Sequence, residues 1–150
     1  MEIYIVRHGK ALEGYIDESR ELSEKGKKQA KRAGKCLKNS NIDISEIFSS
    51  HLKRAVQTAE IIAKELNFKS EIKTTELLNP LSNPDEILDH LQYKSREDKD
   101  KFLLVGHQPF LGRMIAVFIK SDEECVDLKK GCLCKIEIKN RKFEKLKHII

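Results

Sequence analysis

The sequence predicts an α/β protein, a three-layer α/β/α sandwich with a mainly parallel sheet and a C-terminal antiparallel edge hairpin. Short apolar runs that are typical of buried strands alternate with segments in which apolar residues recur at helical spacing, as in parallel strands joined by helices. The last two strand-like runs are separated only by a turn, which indicates an antiparallel pair. The 150 residues suit a single domain spanning 1–150.

The first half of the chain contains two strands, each followed by a helix. Residues 3–6 form an apolar run, and Ser23 is a good N-cap for a helix that we expect to end near Asn39. A short strand at 44–49 precedes the clearest helical pattern of the sequence, at 52–66. Strand and helix therefore alternate from the start of the chain.

The second half repeats this alternation. A weak strand at 71–75 precedes a helix that Pro84 opens and that reaches about Tyr93. An uninterrupted apolar run at 102–105 has the character of a buried strand, and a helix follows it at 110–119.

The carboxyl end predicts a different arrangement, two strands at 132–138 and 142–149 joined by a turn at Asn140 and Arg141. Lysines are frequent in and before this hairpin, but aromatic residues are not interleaved with them, so we interpret them as a solvated face and expect no nucleic-acid partner. The four cysteines lack metal-finger spacing, and we expect buried thiols without disulfides or zinc. They are Cys36, Cys125, Cys132 and Cys134.

Composition narrows the class of protein. The chain is 39% hydrophobic and 35% charged, too apolar for a disordered chain and too charged for a membrane protein. The first apolar run stops at Arg7, which is too short for a signal peptide or a membrane span, so we expect a cytoplasmic protein with no membrane partner. The formal net charge of +5 favours anionic partners.

Histidine and arginine recur where predicted strands end. Arg7 and His8 follow the first strand, Arg54 stands at the start of the helix after the second, and His107 follows the run at 102–105. Carboxyl ends of parallel strands meet at one edge of a sheet, so we expect these side chains to converge. A nucleophile among positive groups suits phosphoryl transfer, which depends mainly on positioning and charge stabilisation.

Three motifs, in this order, resemble those of the histidine phosphatase (phosphoglycerate-mutase-like) superfamily. They are Arg7-His8-Gly9, then Ser49-Ser50 with Arg54-Ala55 and Gln57-Thr58-Ala59, and then Gly106-His107 with Pro109. A further segment, Arg20-Glu21-Leu22-Ser23 with Gly26, resembles the small SixA-type phosphohistidine phosphatases. The resemblance extends from residue 1 to about 119.

The resemblance implies that His8 is the nucleophile and becomes transiently phosphorylated on a ring nitrogen. It also implies a phosphate pocket made by Arg7, Arg54 and His107, with Arg20 as an additional contact. We expect His8 to be neutral, because neighbouring guanidinium charges repel an imidazolium. His107, in contrast, is expected to be able to carry a proton in the complex and to donate a hydrogen bond to the transferring group.

The acid that protonates the leaving group is left open. Family members generally use a Glu or Asp on a loop beyond the third strand, and Glu76 is the candidate there, with Asp17 or Glu18 near Arg20 as alternatives. A phosphohistidine substrate would relax the need for an acid, since its nitrogen leaving group departs more readily than an alkoxide.

Departures from the family point to the substrate. Mutases usually carry Glu and Ser after the first motif and an inserted cap, whereas Lys10 and Ala11 follow here and only a short segment separates Thr58 from Tyr93. An open pocket suits a histidine displayed on another protein. We therefore expect a monomeric, metal-independent phosphatase of protein phosphohistidine.

Two alternatives remain at this point: a broad phosphomonoesterase acting on small phosphate esters and, less favoured, a non-catalytic phosphoanion-binding module. The sequence has no metal-binding or nucleotide-binding motif, so no cofactor is expected.

Overall fold

The computed structural model describes residues 1–95, 99–122, 125–139 and 142–148, and its six strands form one sheet. The strands are β1 (Glu2–Arg7), β2 (Glu46–Ser49), β3 (Lys73–Thr74), β4 (Lys101–Gly106), β5 (Leu133–Lys139) and β6 (Lys142–His148). Their order across the sheet is β3-β2-β4-β1-β5-β6. Strands β3, β2, β4 and β1 run parallel to one another, whereas β5 is antiparallel to both of its neighbours, β1 and β6.

Four helices accompany the sheet: α1 (Glu24–Asn39), α2 (Lys53–Leu66), α3 (Pro84–Lys94) and α4 (Phe110–Ile119). Helices α1 and α2 pack against each other, as do α3 and α4. The predicted α/β class, the mainly parallel sheet and the antiparallel edge hairpin are confirmed. The predicted turn at residues 140 and 141 lies outside the described residues. Within the described ranges, no helix combines the length and apolar character that crossing a bilayer requires.

Strand β1 contributes to two separate cores because its side chains alternate between the faces of the sheet. Ile3 and Ile5 belong to the core beneath α3 and α4, while Tyr4 and Val6 belong to the core beneath α1 and α2. All four side chains are fully buried. Because β1 is buried on both faces, the position of Arg7 at its carboxyl end is well defined.

The largest differences from the predicted boundaries are at β2 and β3. Strand β2 begins at Glu46 rather than at residue 44, and β3 contains two residues instead of five. Residues Lys73 and Thr74 are both exposed and pair only with Phe48 and Ser49, so β3 is a minimal edge strand.

The expectation of four buried thiols is wrong for two of them. Cys132 and Cys134 are buried, with Cys134 in the same core as Ile136 and Ile138, as its strand phase predicts. Cys36 on α1 is half-buried, and Cys125 is exposed in the segment after α4. Strand phase cannot predict burial for either one, since neither lies in a strand.

Candidate active site

The candidate site lies at the carboxyl ends of β1, β2 and β4, which are neighbours in the order β2-β4-β1. The parallel register places Arg7 opposite Gly106 and Ser49 opposite Val105. The residues that follow these strand ends, His8, Ser50 and His107, therefore come together at one edge of the sheet.

His8 is held in a single tautomer by the backbone. Its Nδ1 lies 2.7 Å from the carbonyl oxygen of Gly9, and a carbonyl can only accept, so Nδ1 carries the proton and donates it. The other ring nitrogen, Nε2, keeps its lone pair. The main-chain N–H of His8 donates to the oxygen of Gly106 at 3.0 Å, which ties the residue to the end of β4.

His107 faces His8, with ring centroids 4.9 Å apart. Its Nε2 lies 2.5 Å from Ser50 Oγ, and that oxygen also accepts from the N–H of Leu52. Nε2 is the acceptor that the described residues offer to the hydrogen of Ser50, so we assign the serine as donor to Nε2 and Nδ1 as the protonated nitrogen of His107. That Nδ1 is buried and has no partner among the described residues.

Arg7 presents a second buried donor without a partner. Its Nη1 donates to the carbonyl oxygen of Leu128 at 2.8 Å, whereas its Nε is buried and unpaired in the described part of the chain. A buried donor that lacks an acceptor costs free energy. A phosphoryl oxygen placed between these groups would satisfy both Arg7 Nε and His107 Nδ1.

Arg54 stands in the first turn of α2 and is paired with Asp17. Its Nη2 lies 3.0 Å from Asp17 Oδ2, and its Nη1 donates to the carbonyl oxygen of Asp17 at 2.7 Å. The other carboxylate oxygen of Asp17 lies 3.1 Å from Arg20 Nη1. An internal carboxylate therefore bridges two of the three arginines that were predicted to bind phosphate.

A loop between β1 and α1 carries Asp17 and Arg20. The loop is closed at its base by an antiparallel bridge between Ala11 and Leu22, and it contains a single 3₁₀ turn at Asp17–Ser19. Arg20 Nε donates to the carbonyl oxygen of Leu12 at 2.8 Å, which holds the loop in shape. Arg20 therefore reaches the site through its ion pair with Asp17, and its contact with phosphate stays a prediction.

Thr58 supports the backbone next to His8 by contacts with Gly9 and Arg54. The N–H of Gly9 donates to Thr58 Oγ1 at 3.2 Å, and the Thr58 hydroxyl donates to the carbonyl oxygen of Arg54 at 2.7 Å. A Cβ at Gly9 would lie 2.4 Å from the carbonyl oxygen of Gly26, so only glycine permits this approach of the loop to α1.

Burial dominates the electrostatics of the two histidines. Burial first, and then the charges of Arg54 and Arg7, lower the pKa of His8 to about 4, against the hydrogen bond to Gly9. Burial likewise lowers the pKa of His107 to about 3, with His8 and Arg54 adding to the effect. The neutral state expected for His8 follows first from burial and only then from the arginines.

The low pKa of His107 makes it neutral at pH 7 in the unliganded protein. It donates from Nδ1 without needing a positive charge. A bound phosphoryl dianion would favour its imidazolium form, which is the state expected in the complex.

The carboxylates proposed as acids occupy different places. Glu76 begins a single 3₁₀ turn, Glu76–Leu78, after β3; it is exposed, and its side chain makes no hydrogen bond or ion pair with a described residue. Glu18 is also exposed and unpaired among the described residues. Asp17 is the carboxylate at the site, and its hydrogen bond with Arg54 holds its pKa below the usual range.

Sequence reasoning missed three features of the site: the bond of Ser50 to His107, the bond of Thr58 to Gly9, and the pairing of Asp17 with Arg54. Ser50 and Thr58 lie in the second of the three motifs, so the sequence did mark them as residues of interest. The third feature depends on how a loop of irregular structure folds, and no sequence pattern indicates it. Within the described ranges, no group of three or more His, Cys, Asp or Glu side chains is placed to hold a metal ion.

The chain resembles known proteins in sequence and in fold. The family model described as histidine phosphatase superfamily (branch 1) matches residues 3–83. A mitochondrial serine/threonine-protein phosphatase Pgam5 of Drosophila mojavensis is 38% identical over 78 residues, which are 51% of this chain and 27% of that protein. The match thus covers 27% of the length of this curated relative.

Solved structures match over nearly the whole chain. The protein histidine phosphatase SixA, complexed with tungstate, superposes with a TM-score of 0.88 at 23% identity over 99% of this chain and 97% of that one. The alpha-ribazole phosphatase from Shigella flexneri gives a TM-score of 0.79 at 17% identity over 99% of this chain and 96% of that one. At such identities the likeness establishes the fold.

The chain belongs to the histidine phosphatase superfamily. Its fold is that of SixA, and the resemblance predicted from the three motifs is confirmed.

Proposed function

We propose that the chain is a phosphatase that acts through a phosphohistidine on His8 and removes phosphate from phosphohistidine on proteins. The observation that carries the proposal is the fixed tautomer of His8, whose Nδ1 donates to Gly9 and leaves the Nε2 lone pair for phosphorus. Family membership supports phosphatase activity.

Two steps balance the reaction. In the first, His8 Nε2 forms a bond to phosphorus while the bond from phosphorus to the substrate nitrogen breaks, and the departing imidazole takes up a proton. In the second, water attacks phosphorus, the bond to Nε2 breaks, and inorganic phosphate leaves with His8 restored. Arg7, Arg54 and His107 supply the positive charge and hydrogen-bond donors for the equatorial oxygens in both steps.

Several observations support a protein as the substrate. Segment 59–93 consists of the rest of α2, β3, one 3₁₀ turn and most of α3, with no inserted domain that would cover the pocket. Tyr15 and Ile16, just before Asp17, are exposed apolar side chains that suit contact with another protein. The names of the relatives above, a serine/threonine-protein phosphatase and a protein histidine phosphatase, describe protein substrates.

A small phosphate ester is the second candidate, because the fold is shared with an alpha-ribazole phosphatase. Initial rates on a phosphohistidine protein and on a panel of sugar and nucleoside phosphates separate the two. We expect the highest kcat/KM on the phosphoprotein, and a preference for one of the esters would overturn the proposed substrate.

The mechanism is tested by trapping the intermediate. Wild type and His8→Ala are mixed with phosphoprotein carrying labelled phosphate, quenched without acid and mapped for alkali-stable label. We expect label on His8 in the wild type only, and a loss of turnover of more than ~1000-fold in the variant. Label on a serine or cysteine would overturn the mechanism. Absence of both label and turnover in the wild type would instead indicate the non-catalytic phosphoanion-binding module.

A further inference from the structure

A tight turn at residues 129–132 lies beside the phosphate pocket and is not used by the mechanism above. The N–H of Cys132 donates to the carbonyl oxygen of Lys129 at 3.0 Å, which closes a β-turn with Lys130 and Gly131 at its central positions. Gly131 has φ +72°, a left-handed conformation that favours glycine. The turn therefore has a defined shape that places Lys130 at its tip.

The turn is fixed to the backbone and side chain of Arg7. The N–H of Gly131 donates to the carbonyl oxygen of Arg7 at 3.0 Å, and the N–H of Arg7 donates to the carbonyl oxygen of Cys132 at 3.3 Å. Arg7 Nη1 also donates to Leu128 at 2.8 Å. The turn that carries Lys130 is thus attached, through Gly131 and Cys132, to the residue that precedes His8.

The other side of the turn rests on α1. A Cβ at Gly131 would lie 2.5 Å from the Cβ of Gln29, and Gln29 Oε1 accepts from the N–H of Lys10 at 2.8 Å. The turn is held between the end of β1 and the first half of α1. Its tip stays next to the pocket because both sides are packed.

Lys129 and Lys130 are both exposed, and neither forms an ion pair with a carboxylate in the described part of the chain. Their surroundings differ. The charge of Lys130 adds to burial and the arginines in lowering the pKa of His8. The charge of Lys129 acts on the buried Cys132, whose thiol pKa burial raises. The ammonium group of Lys130 therefore lies close enough to His8 for its charge to act on that ring.

Asp127 is an exposed acidic residue of the same segment. Burial lowers the pKa of Arg7, and the charge of Asp127 opposes this effect. Asp127 forms no ion pair with Lys130. Among the described residues, the ammonium of Lys130 is therefore a cation without an ion-pair partner, on a turn that is bonded to Arg7. The arginines of the pocket, Arg7 and Arg54, would be occupied by the phosphoryl group.

We propose that Lys130 binds a carboxylate of the substrate that lies next to the phosphoryl group being removed. On a protein substrate this carboxylate is an Asp or Glu side chain flanking the phosphohistidine, and this part rests on the proposed function. A flexible exposed lysine can follow a carboxylate whose position varies, whereas the planar guanidinium groups of Arg7 and Arg54 favour one phosphoryl geometry. The contribution expected of one exposed pair is about fivefold in affinity.

The carboxylate site is tested first by binding, without turnover. Calorimetric titration compares two ligands, propylphosphonate and 3-phosphonopropionate, in which a carboxylate replaces the terminal methyl group. Both are titrated into wild type, Lys130→Gln and the matched control Lys129→Gln. We expect the carboxylate to tighten binding about fivefold in wild type and control and to lose this effect in Lys130→Gln. An equal ratio for the three proteins would overturn the proposal.

Turnover then tests the substrate class. Two phosphohistidine peptides that differ only by Asp or Asn beside the phosphohistidine are compared by kcat/KM. We expect wild type and Lys129→Gln to prefer the Asp peptide and Lys130→Gln to treat the two alike. If neither peptide is hydrolysed while the phosphonate result holds, the proposed phosphohistidine substrate is wrong and the carboxylate site stands. If both peptides are hydrolysed equally by all three proteins, the recognition of an acidic flank is overturned.

Discussion

At the scale of single residues, the site is defined by which hydrogen bonds are made and which are missing. Gly9 fixes one nitrogen of His8, and Ser50 fixes one nitrogen of His107. The unpaired donors Arg7 Nε and His107 Nδ1 are buried beside them. Such donors are normally satisfied in folded proteins, and a phosphoryl group bound as proposed above would satisfy both.

Asp17 already supplies an anion to Arg54, which leads to a prediction. A phosphoryl group must compete with this carboxylate for the guanidinium, so Asp17→Asn should bind phosphate more tightly because the competing charge is gone. We expect the inhibition constant of inorganic phosphate to fall about fivefold, the size of one ion pair whose carboxylate is exposed to solvent. Steady-state inhibition of aryl phosphate hydrolysis measures it.

The control for Asp17 is Glu18→Gln, which removes the same charge from the same loop but no described contact with Arg54. Its inhibition constant should change little. If Asp17 is instead the acid, Asp17→Asn will lower kcat on phenyl phosphate much more than on p-nitrophenyl phosphate, whose leaving group needs no proton. That pattern would contradict its interpretation as a competitor.

At the scale of elements, the junction of β1 with α1 positions the nucleophile. The helix begins after Ser23, whose side chain accepts from the N–H of Gly26 and donates to the carbonyl oxygen of Lys10. One residue thus caps the helix and attaches it to the loop after β1. Because Gly9 and Gly26 have no side chains, the backbone after β1 can approach the backbone of α1 closely.

Gly9→Ala tests this junction. The added Cβ would lie 2.8 Å from Gly26 Cα and closer still to its carbonyl oxygen, so backbone rather than a flexible side chain must move. We expect a loss of about 1–3 kcal/mol in the free energy of unfolding. The catalytic rate should fall as well, because the carbonyl of Gly9 orients His8. Urea unfolding and kcat on an aryl phosphate measure the two effects.

The matched substitution is Gly14→Ala, where the added Cβ meets only the side-chain Cγ of Arg20, at 3.3 Å. Its stability should stay within ~0.5 kcal/mol of wild type. Equal effects of the two substitutions would mean that the contact of Gly9 with Gly26 does not support the site.

The boundaries of some helices and strands could be predicted from the sequence more accurately than those of others. Helix α1 ends at Asn39 and α4 spans Phe110–Ile119, both as predicted, because a cap or strong apolar spacing marks them. Strand β3 is shorter than predicted, since an exposed edge strand has neither alternation nor burial to define its length.

At the scale of the whole molecule, convergence of the strand ends was predictable, because parallel strands point their carboxyl ends to one edge. Arg7, His8, Arg54 and His107 could therefore be named from the motifs and the order of elements. The pairing of Asp17 with Arg54 and the attachment of the Lys129–Cys132 turn to Arg7 were not predictable. Both contacts join residues that are far apart in the sequence and depend on how irregular loops fold. The periodicity of apolar residues carries no information on loop conformation.

The pair of buried histidines gives the whole molecule a characteristic dependence on pH. In the folded protein the pKa is about 4 for His8 and about 3 for His107, against 6.5 for an unperturbed histidine. Between pH 6.5 and 4, the unfolded chain thus binds more protons than the folded one, so the free energy of unfolding decreases as the pH falls. Each histidine contributes up to about 1.4 kcal/mol per pH unit.

Urea unfolding at several pH values between 7 and 4 measures this slope on wild type, on His8→Asn with His107→Gln, and on His51→Gln, which removes an exposed histidine. We expect the double variant to lose stability less steeply with acid than wild type, and His51→Gln to follow wild type. Carboxylates such as Glu2, whose pKa the Lys135 and Tyr4 hydrogen bonds lower despite burial, act in the same direction in all three proteins and cancel in the comparison. A wild-type slope in the double variant would mean that the two histidines bind protons alike in the folded and the unfolded chain. Their pKa values would then not be lowered by folding, and the proposal that His8 is neutral because it is buried would be wrong.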